Sequence, residues 1–259
     1  MNTILNVLRG ADPELFLITS EGTPVTSIGL VGGTKKEPRS IGGGYAVQED
    51  NVAVEFNIPP ASDKTSFVNS IQHVLGYLEH EMSKKGLLLD ISATREFEFH
   101  DLLHPQAREL GCEPDYNAWT LRPNPRPEAP DTLRSSGGHI HIGYDNPNDK
   151  SSIMIVKAHD LFCGLPSLDL DSDTLRRSIY GKAGAHRIKT YGVEYRTLSN
   201  FWIKSPELME FIYEQSEKAI NWINAGGEIS KEWGDKIVSA INNGDRALQK
   251  EVQSHFAVC

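Results

Sequence analysis

The chain has 259 residues, 39% hydrophobic and 24% charged, with a formal net charge of -9. It is long enough to bury a real core, and the acidic balance argues against general affinity for nucleic-acid backbones, which needs clustered Lys and Arg. The three cysteines, Cys112, Cys163 and Cys259, form no CxxC pair, which argues against a cysteine-rich zinc site and fits a reducing, cytoplasmic setting. No basic segment followed by an apolar run opens the sequence, and no stretch approaches the roughly 20 apolar residues of a membrane helix, so neither a signal peptide nor a membrane partner is expected.

In chain order, residues 3–9 read as a short first strand or lead-in. Residues 15–18 and 24–25, around the turn Ser20-Glu21-Gly22-Thr23, read as a hairpin. Residues 28–46, with Gly32-Gly33 and Gly42-Gly43-Gly44, read as loops or a second hairpin. Residues 52–58 form an alternating β-branched run ended by Pro59-Pro60. Ser62-Asp63-Lys64 opens a helix with Phe67, Ile71, Leu75, Leu78 and Met82 at spacings of three and four, stopped by Gly86. Residues 87–99 read as a strand. Residues 100–135 are irregular and proline-rich, and a loop of that length is functional or packed by its own side chains. Strands follow at 138–143 and 192–198, helices at 150–161 and 173–180, and a helical tail from Pro206, including roughly 230–255. The order predicts an α+β fold with a largely antiparallel sheet, as one catalytic domain over 1–259 with a core of about 10–202 and a tail of about 206–259.

Four segments carry chemistry. In Gly10-Ala11-Asp12-Pro13-Glu14, an extended Pro13 puts both carboxylates on one side, where they repel unless a cation or proton lies between them; the alternative is a strand start with two solvated acids. In 52–58, Glu55 shares a face with Ala53 and Asn57, opposite Val52, Val54 and Phe56, and either meets solvent or points into a cleft with Glu14. In Ser135-Ser136-Gly137-Gly138-His139-Ile140-His141, the histidines point the same way from a strand, a common arrangement of metal ligands; the alternative is one functional and one packed histidine. In 187–196, Glu194 and Arg196 alternate with Val193 and Tyr195 and either pair or hold a metal and a phosphate side by side. Arg176, Arg177, Lys182 and Arg187 form a basic cluster suited to phosphate, although Arg176 and Arg177 also read as a solvated helix face. Carboxylates with one imidazole suit Mg²⁺ or Mn²⁺. No GxxxxGK[ST], GxGxxG after a strand, or GxSxG is present.

In this order the segments resemble the carboxylate–amine ligase superfamily of glutamine synthetase and glutamate–cysteine ligase. More closely, GADPELF, GGHIHIG, RRSIYGKAGAHR and YGVEYRTLSNFW resemble the phage-associated type 2 amidoligases, the phiEco32-like COOH–NH2 ligases, over about residues 10–202. The resemblance implies a glutamine-synthetase-like domain with a curved antiparallel sheet flanked by helices. It implies an ATP- and Mg²⁺- (or Mn²⁺-) dependent ligase that forms an amide or isopeptide bond through an acyl phosphate. Asp12, His139 and Glu194 match ligands of the metal on the nucleotide phosphates. Glu14 matches a second metal site that Glu55 joins, with Glu49, Asp50 and Glu96 as candidates for its remaining acid. Arg187 and Arg196 match arginines on the transferred phosphoryl group, with Glu55 beside them as a catalytic candidate. Arg176, Arg177, Lys182, Arg187 and His141 are the nucleotide-binding candidates, and His141 supports His139 or contacts substrate. Asp12 stands where glutamine synthetase has Glu, and Gly192 where it has Arg, so Arg187 or Lys189 replaces that charge. The expected partners are small-molecule or peptide carboxylates and amines, in the cytoplasm (of the host, for a phage protein). The rivals are a metal-dependent hydrolase or oxygenase built on His139, His141 and a carboxylate, and a catalytically inactive binding protein of the same fold. Asp115, Tyr116 and Trp119 are candidates for a substrate wall.

Overall fold

The computed structural model describes residues 3–108, 115–125 and 129–258. Cys112 and Cys259 lie outside them; Cys163 is buried with a free thiol. The first half of the chain holds β1 (Leu8–Ala11), β2 (Glu14–Ile18), β3 (Pro24–Val25), β4 (Arg39–Gly42), β5 (Tyr45–Asp50), β6 (Ala53–Asn57), α1 (Lys64–Ser83), β7 (Leu88–Asp90), β8 (Thr94–Glu96), β9 (Tyr116–Asn117) and β10 (Arg122–Pro123). Then come β11 (Leu133–Ser135), β12 (Ile140–Gly143), α2 (Asp149–His159), α3 (Leu165–Leu170), α4 (Thr174–Ile179), β13 (Ala185–Lys189), β14 (Gly192–Tyr195), α5 (Pro206–Asn224), α6 (Lys231–Asn243) and α7 (Arg246–Phe256).

Among the described residues one sheet runs β1-β12-β14-β13-β9-β10 and another β3-β2-β6-β5-β4, with β7 on β2 and a separate β11-β8 pair. The pairings are antiparallel, so the fold is α+β as expected. The large sheets meet along one stretch of chain. Ile58 N donates to Ala11 O at 3.3 Å and Phe56 N to Pro13 O at 3.2 Å, so the segment that pairs with β12 on one side pairs with β6 and its extension on the other. Pro13 has no N–H to give a ladder, and at this point the strand passes from one sheet to the next. Asp12 and Glu14 flank that passage.

Helix α1 forms as its spacing predicts. Asp63 caps it by accepting from Ser66 N at 2.8 Å, and Phe67, Ile71, Leu78 and Met82 are buried beneath the sheet, with Leu75 half-buried. Phe67 packs on Trp202 and Tyr213, two of the largest fully buried side chains.

Three elements differ from the sequence expectation. The strand expected over 87–99 is broken into β7 and β8, because β8 leaves for β11 and Phe97 turns into a small core with Phe16, Val52 and Leu102. The helix expected at 150–161 continues through a π-helical turn, Asp160–Gly164, into α3. Residues 230–255 form two helices, parted at Gly244, whose φ of +65° is a left-handed cap. No helix among the described residues is long and apolar enough to cross a membrane.

Candidate metal and anion centre

Strand pairing brings the first cluster together. Gly10 faces His141 across β1 and β12, and His141 faces Glu194 across β12 and β14. Asp12 therefore lies beside both histidines: Oδ1 is 3.3 Å from His139 Nδ1 and Oδ2 is 3.0 Å from His141 Nε2. His139 Nδ1 is also 3.6 Å from Glu194 Oε1, and one ligand atom each of Asp12, His139 and Glu194 lie within 4.8 Å of one another. His141 is held on its other nitrogen by the Tyr191 hydroxyl. The histidines thus part in role: His139 converges on two carboxylates, and His141 braces Asp12 from the rim. The glycines before them are needed for this packing. A Cβ on Gly137 would stand 2.3 Å from the His139 ring, and one on Gly138 would stand 2.4 Å from Ser199 O and Trp202 Nε1.

Charge in this cluster is strongly shaped. Burial alone would raise the Asp12 pKa, but His141 and His139 outweigh it and hold Asp12 well below the ordinary carboxylate range. Burial and Asp12 also push Glu194 up, and Arg196, His139 and His141 bring it down to about 2. Burial lowers His141, and Asp12 and Glu194 reverse that to a net rise. Asp12 Oδ1 is walled off from solvent without a well-formed hydrogen bond, and Glu194 Oε2 faces Lys189. One oxygen each of Asp12 and Glu194 and one imidazole nitrogen, converging, fit a hard divalent cation.

The second cluster lies on the other sheet. Glu14 faces Glu55 across β2 and β6, and Glu55 faces Gln48 across β6 and β5. Asp50 is two residues beyond Gln48, on the same face, and carboxylate oxygens of Glu14, Asp50 and Glu55 lie within 4.8 Å of one another. Of the candidate third acids, Asp50 is the one that arrives. Glu49 points to the opposite face and accepts from Val31 N at 3.2 Å and Gly32 N at 2.7 Å, and Glu96 is exposed on β8. Burial raises Glu14, partly offset by His139, while the Gly137 N–H donates to its Oε2 at 2.7 Å. Burial and then Asp12, Asp50 and Glu14 raise Glu55 well above the usual range. Like-charged neighbours of this kind favour a cation or a proton among them; Lys35 stands 3.5 Å from Asp50.

Between the clusters opens a cavity of about 260 Å³ lined by Glu14, Asp50, His139, Arg176, Arg187 and Arg196 among others. Arg196 pairs with Glu194 through Nη1, lies 3.1 Å from His139 Nδ1, and places Nε 2.8 Å from Asp115 Oδ1. Arg187 Nη2 lies 3.4 Å from the same Asp115 oxygen. Glu194 and Arg196 therefore do pair, and that pair is part of the cluster. Lys189 completes it, 2.7 Å from Glu194 Oε2. Of the three wall candidates, Asp115 reaches the arginines, Trp119 donates to buried Asp160 at 2.6 Å, and Tyr116 is exposed. Arg134, which sequence reasoning passed over, lines the cavity without being free for a ligand: it donates to Asn51 Oδ1 and to the carbonyls of Asp131, Leu133 and Ala107, fastening the wall.

Two of the nucleotide-binding candidates do not line this cavity. Arg177 ion-pairs with Asp171 at 3.2 Å and donates to the Ser167 and Asp171 carbonyls, so it ties α3 to α4 away from the cavity. A helical step of about 100° per residue sends Arg176 to the cavity and Arg177 away from it. Lys182 is half-buried and lines neither this cavity nor a second of about 270 Å³ bounded by Leu8, Asn57, Ile58, His141 and Tyr191. The solvated-face reading fails for both helix arginines, which are 3% and 8% exposed.

Residues 129–221 match the family model phage phiEco32-like COOH.NH2 ligase, type 2. The match takes in His139, His141, Arg176, Arg187, Glu194 and Arg196 and bears out the resemblance at GGHIHIG, RRSIYGKAGAHR and YGVEYRTLSNFW; Asp12, Glu14, Asp50 and Glu55 lie outside the matched residues. It supports a carboxylate–amine ligase. No curated protein matches the chain. A solved structure described as apo GmaS without ligand is similar at 12% identity and a TM-score of 0.40, over 97% of this chain and 68% of that one.

Proposed function

We propose that the protein is an ATP-dependent carboxylate–amine ligase that joins a small-molecule or peptide carboxylate to an amine. The observation that carries this is the placement of two carboxylate clusters on either side of one arginine-lined cavity. In such a reaction a carboxylate oxygen takes the γ-phosphoryl group of ATP with release of ADP, and the amine nitrogen then displaces phosphate from the acyl carbon and gives up a proton. Triphosphate, carboxylate and phosphoryl group must be gathered against their mutual repulsion, which is the work of cations and preorganised donors.

Asp12, His139 and Glu194 would hold one divalent cation, and Glu14, Asp50 and Glu55 a second. Their buried, unsatisfied or like-charged oxygens fit that role. Bound Mg²⁺ or Mn²⁺ would neutralise phosphate charge between the clusters. Arg187 and Arg196 present guanidinium groups to the same cavity and stabilise anionic oxygens there. Asp115 holds both side chains in place. His141, braced between Asp12 and Tyr191, fixes Asp12 and faces the second cavity. His141 offers no atom to the convergent group of Asp12, His139 and Glu194, which disfavours the rival in which His139, His141 and a carboxylate bind one metal together. The reading is tested by an ADP-release screen over pairs of carboxylates and amines with Mg²⁺. Release that requires both partners is expected, and release that ignores the amine contradicts the ligase assignment.

A further inference from the structure

Trp119 lines neither cavity, yet four parts of the chain meet on its indole. Nε1 donates to Oδ2 of Asp160 in the π-helical turn at 2.6 Å. Lys157 of α2 places its ammonium 5.0 Å from the ring centre. A Cβ on Gly184 would stand 2.7 Å from Cδ1, and one on Gly234 of α6 would stand 2.6 Å from Cζ3. The two glycines leave the ring room at both edges and nothing more. The Trp119 backbone N–H donates to Asn117 Oδ1 at 2.9 Å.

Asp115 precedes Trp119 on the same segment. Its Oδ1 lies 2.8 Å from Arg196 Nε and 3.4 Å from Arg187 Nη2. A guanidinium meets phosphate oxygens two at a time only when its plane is correctly set, and the group on its other edge sets that plane. Asp115 can do so only if its own segment is fixed. The strand that follows it, β9, is two residues long and offers β13 two residue pairs, a short hold by itself. Asp160 supplies the second tie. Its Oδ1 accepts from Tyr195 and Thr197, the residues on either side of Arg196, while its Oδ2 accepts from Trp119. One buried carboxylate thus registers the backbone of Arg196 against the segment that bears its carboxylate partner.

We propose that Trp119 is a positioning residue of the phosphate site: seated between Asp160 and α6, it fixes Asp115 and through it the guanidinium planes of Arg187 and Arg196. The C-terminal helical tail then takes part in the site through Gly234, although it lends the cavity no side chain. This rests on the ligase reading in taking the two arginines as partners of phosphate oxygens, and the test separates the two.

The experiment is calorimetry on the full chain with Mg²⁺, titrating inorganic pyrophosphate and, separately, a non-hydrolysable ATP analogue into the wild type, Trp119→Phe, Asp115→Asn and the double variant. Each single variant is expected to bind pyrophosphate about tenfold more weakly, the loss of one misplaced charge-assisted hydrogen bond, and the double variant no more weakly than Asp115→Asn alone, to within about twofold. Gly234→Ala is the second variant, and carries the test if Trp119→Phe does not fold: alanine suits a helix better than glycine, yet its methyl group pushes on the Trp119 ring, so the same loss is expected. Trp233→Phe, one residue away and stacked on His255 instead, controls for looser packing of the tail and should bind as the wild type does. The proposal is overturned by wild-type affinity in Trp119→Phe and Gly234→Ala, by losses that multiply in the double variant, by an equal loss in Trp233→Phe, or by a wild type that binds no pyrophosphate. A wild type that binds pyrophosphate but not the ATP analogue contradicts the ligase reading instead, and the pyrophosphate series then decides the role of Trp119.

Discussion

Lys189 reaches across the β13–β14 ladder to place its ammonium 2.7 Å from Oε2 of Glu194. It stands directly opposite Gly192, the position where the resemblance to glutamine synthetases has an arginine. That arginine has no room here. Gly192 adopts φ +149°, and a Cβ would stand 2.1 Å from the Ile142 carbonyl. The close approach of β12 excludes a side chain on β14, and the neighbouring strand supplies the charge instead.

In the proposed function Lys189 would compete with the metal for Glu194. Lys189→Ala is expected to tighten Mn²⁺ binding by about tenfold, roughly the effect of removing one cation near a buried carboxylate. Titration of Mn²⁺ followed by electron paramagnetic resonance checks this; weaker binding in the variant contradicts it.

Glu55 sets a pH dependence of stability. Its pKa in the fold is raised by burial and by Asp12, Asp50 and Glu14, so between its ordinary value and the raised one the folded state holds more protons than the unfolded state. Stability without divalent cations should therefore fall as pH rises through that window. Glu55→Gln is expected to flatten the fall, raise Tm on the alkaline side of that window without cation, and weaken Mn²⁺ binding. Thermal denaturation from pH 4.5 to 8 in chelator measures it. A Tm that drops in the variant would place Glu55 in a different charge state.

Asp160, fully buried in the π-helical turn, holds both neighbours of Arg196. Its Oδ1 accepts from the Tyr195 hydroxyl at 2.9 Å and Thr197 Oγ1 at 3.2 Å, and its Oδ2 from Trp119 Nε1 at 2.6 Å. Burial pushes its carboxyl up to about 7 despite these donors. Asp160→Ala strands the Tyr195 hydroxyl and the Trp119 indole N–H, while Thr197 Oγ1 keeps the Lys182 carbonyl at 3.1 Å, and should cost about 3 kcal/mol. Urea unfolding measures it, and a loss below about 1 kcal/mol would show that other groups satisfy them.

Local pattern made much of this legible, and the rest depended on long-range register. Helix α1, the β2–β3 hairpin and the strands around His141 and Glu194 follow from periodicity, capping and glycine punctuation. Asp12, His139 and Glu194 stood out because short alternating segments present them. Asp50 could not be told from Glu49, because the choice rests on Gln48 facing Glu55, and nothing within β5 reveals that register. Arg176 and Arg177 looked alike because neither the phase of a six-residue helix nor the buried Asp171 can be read from composition. The role of Asp115 was hidden for the same reason: it meets Arg187 and Arg196 only once β9 pairs with β13.

The central claim is that the clusters and arginines gather a metal–nucleotide complex. Calorimetry of ATP binding with Mg²⁺, on the wild type and on Glu194→Ala of unchanged Tm, tests it most directly. Metal-dependent binding by the wild type, weakened at least tenfold in the variant, is predicted. Absence of nucleotide binding by the wild type with Mg²⁺ or Mn²⁺, or equal affinity in the two proteins, would contradict it.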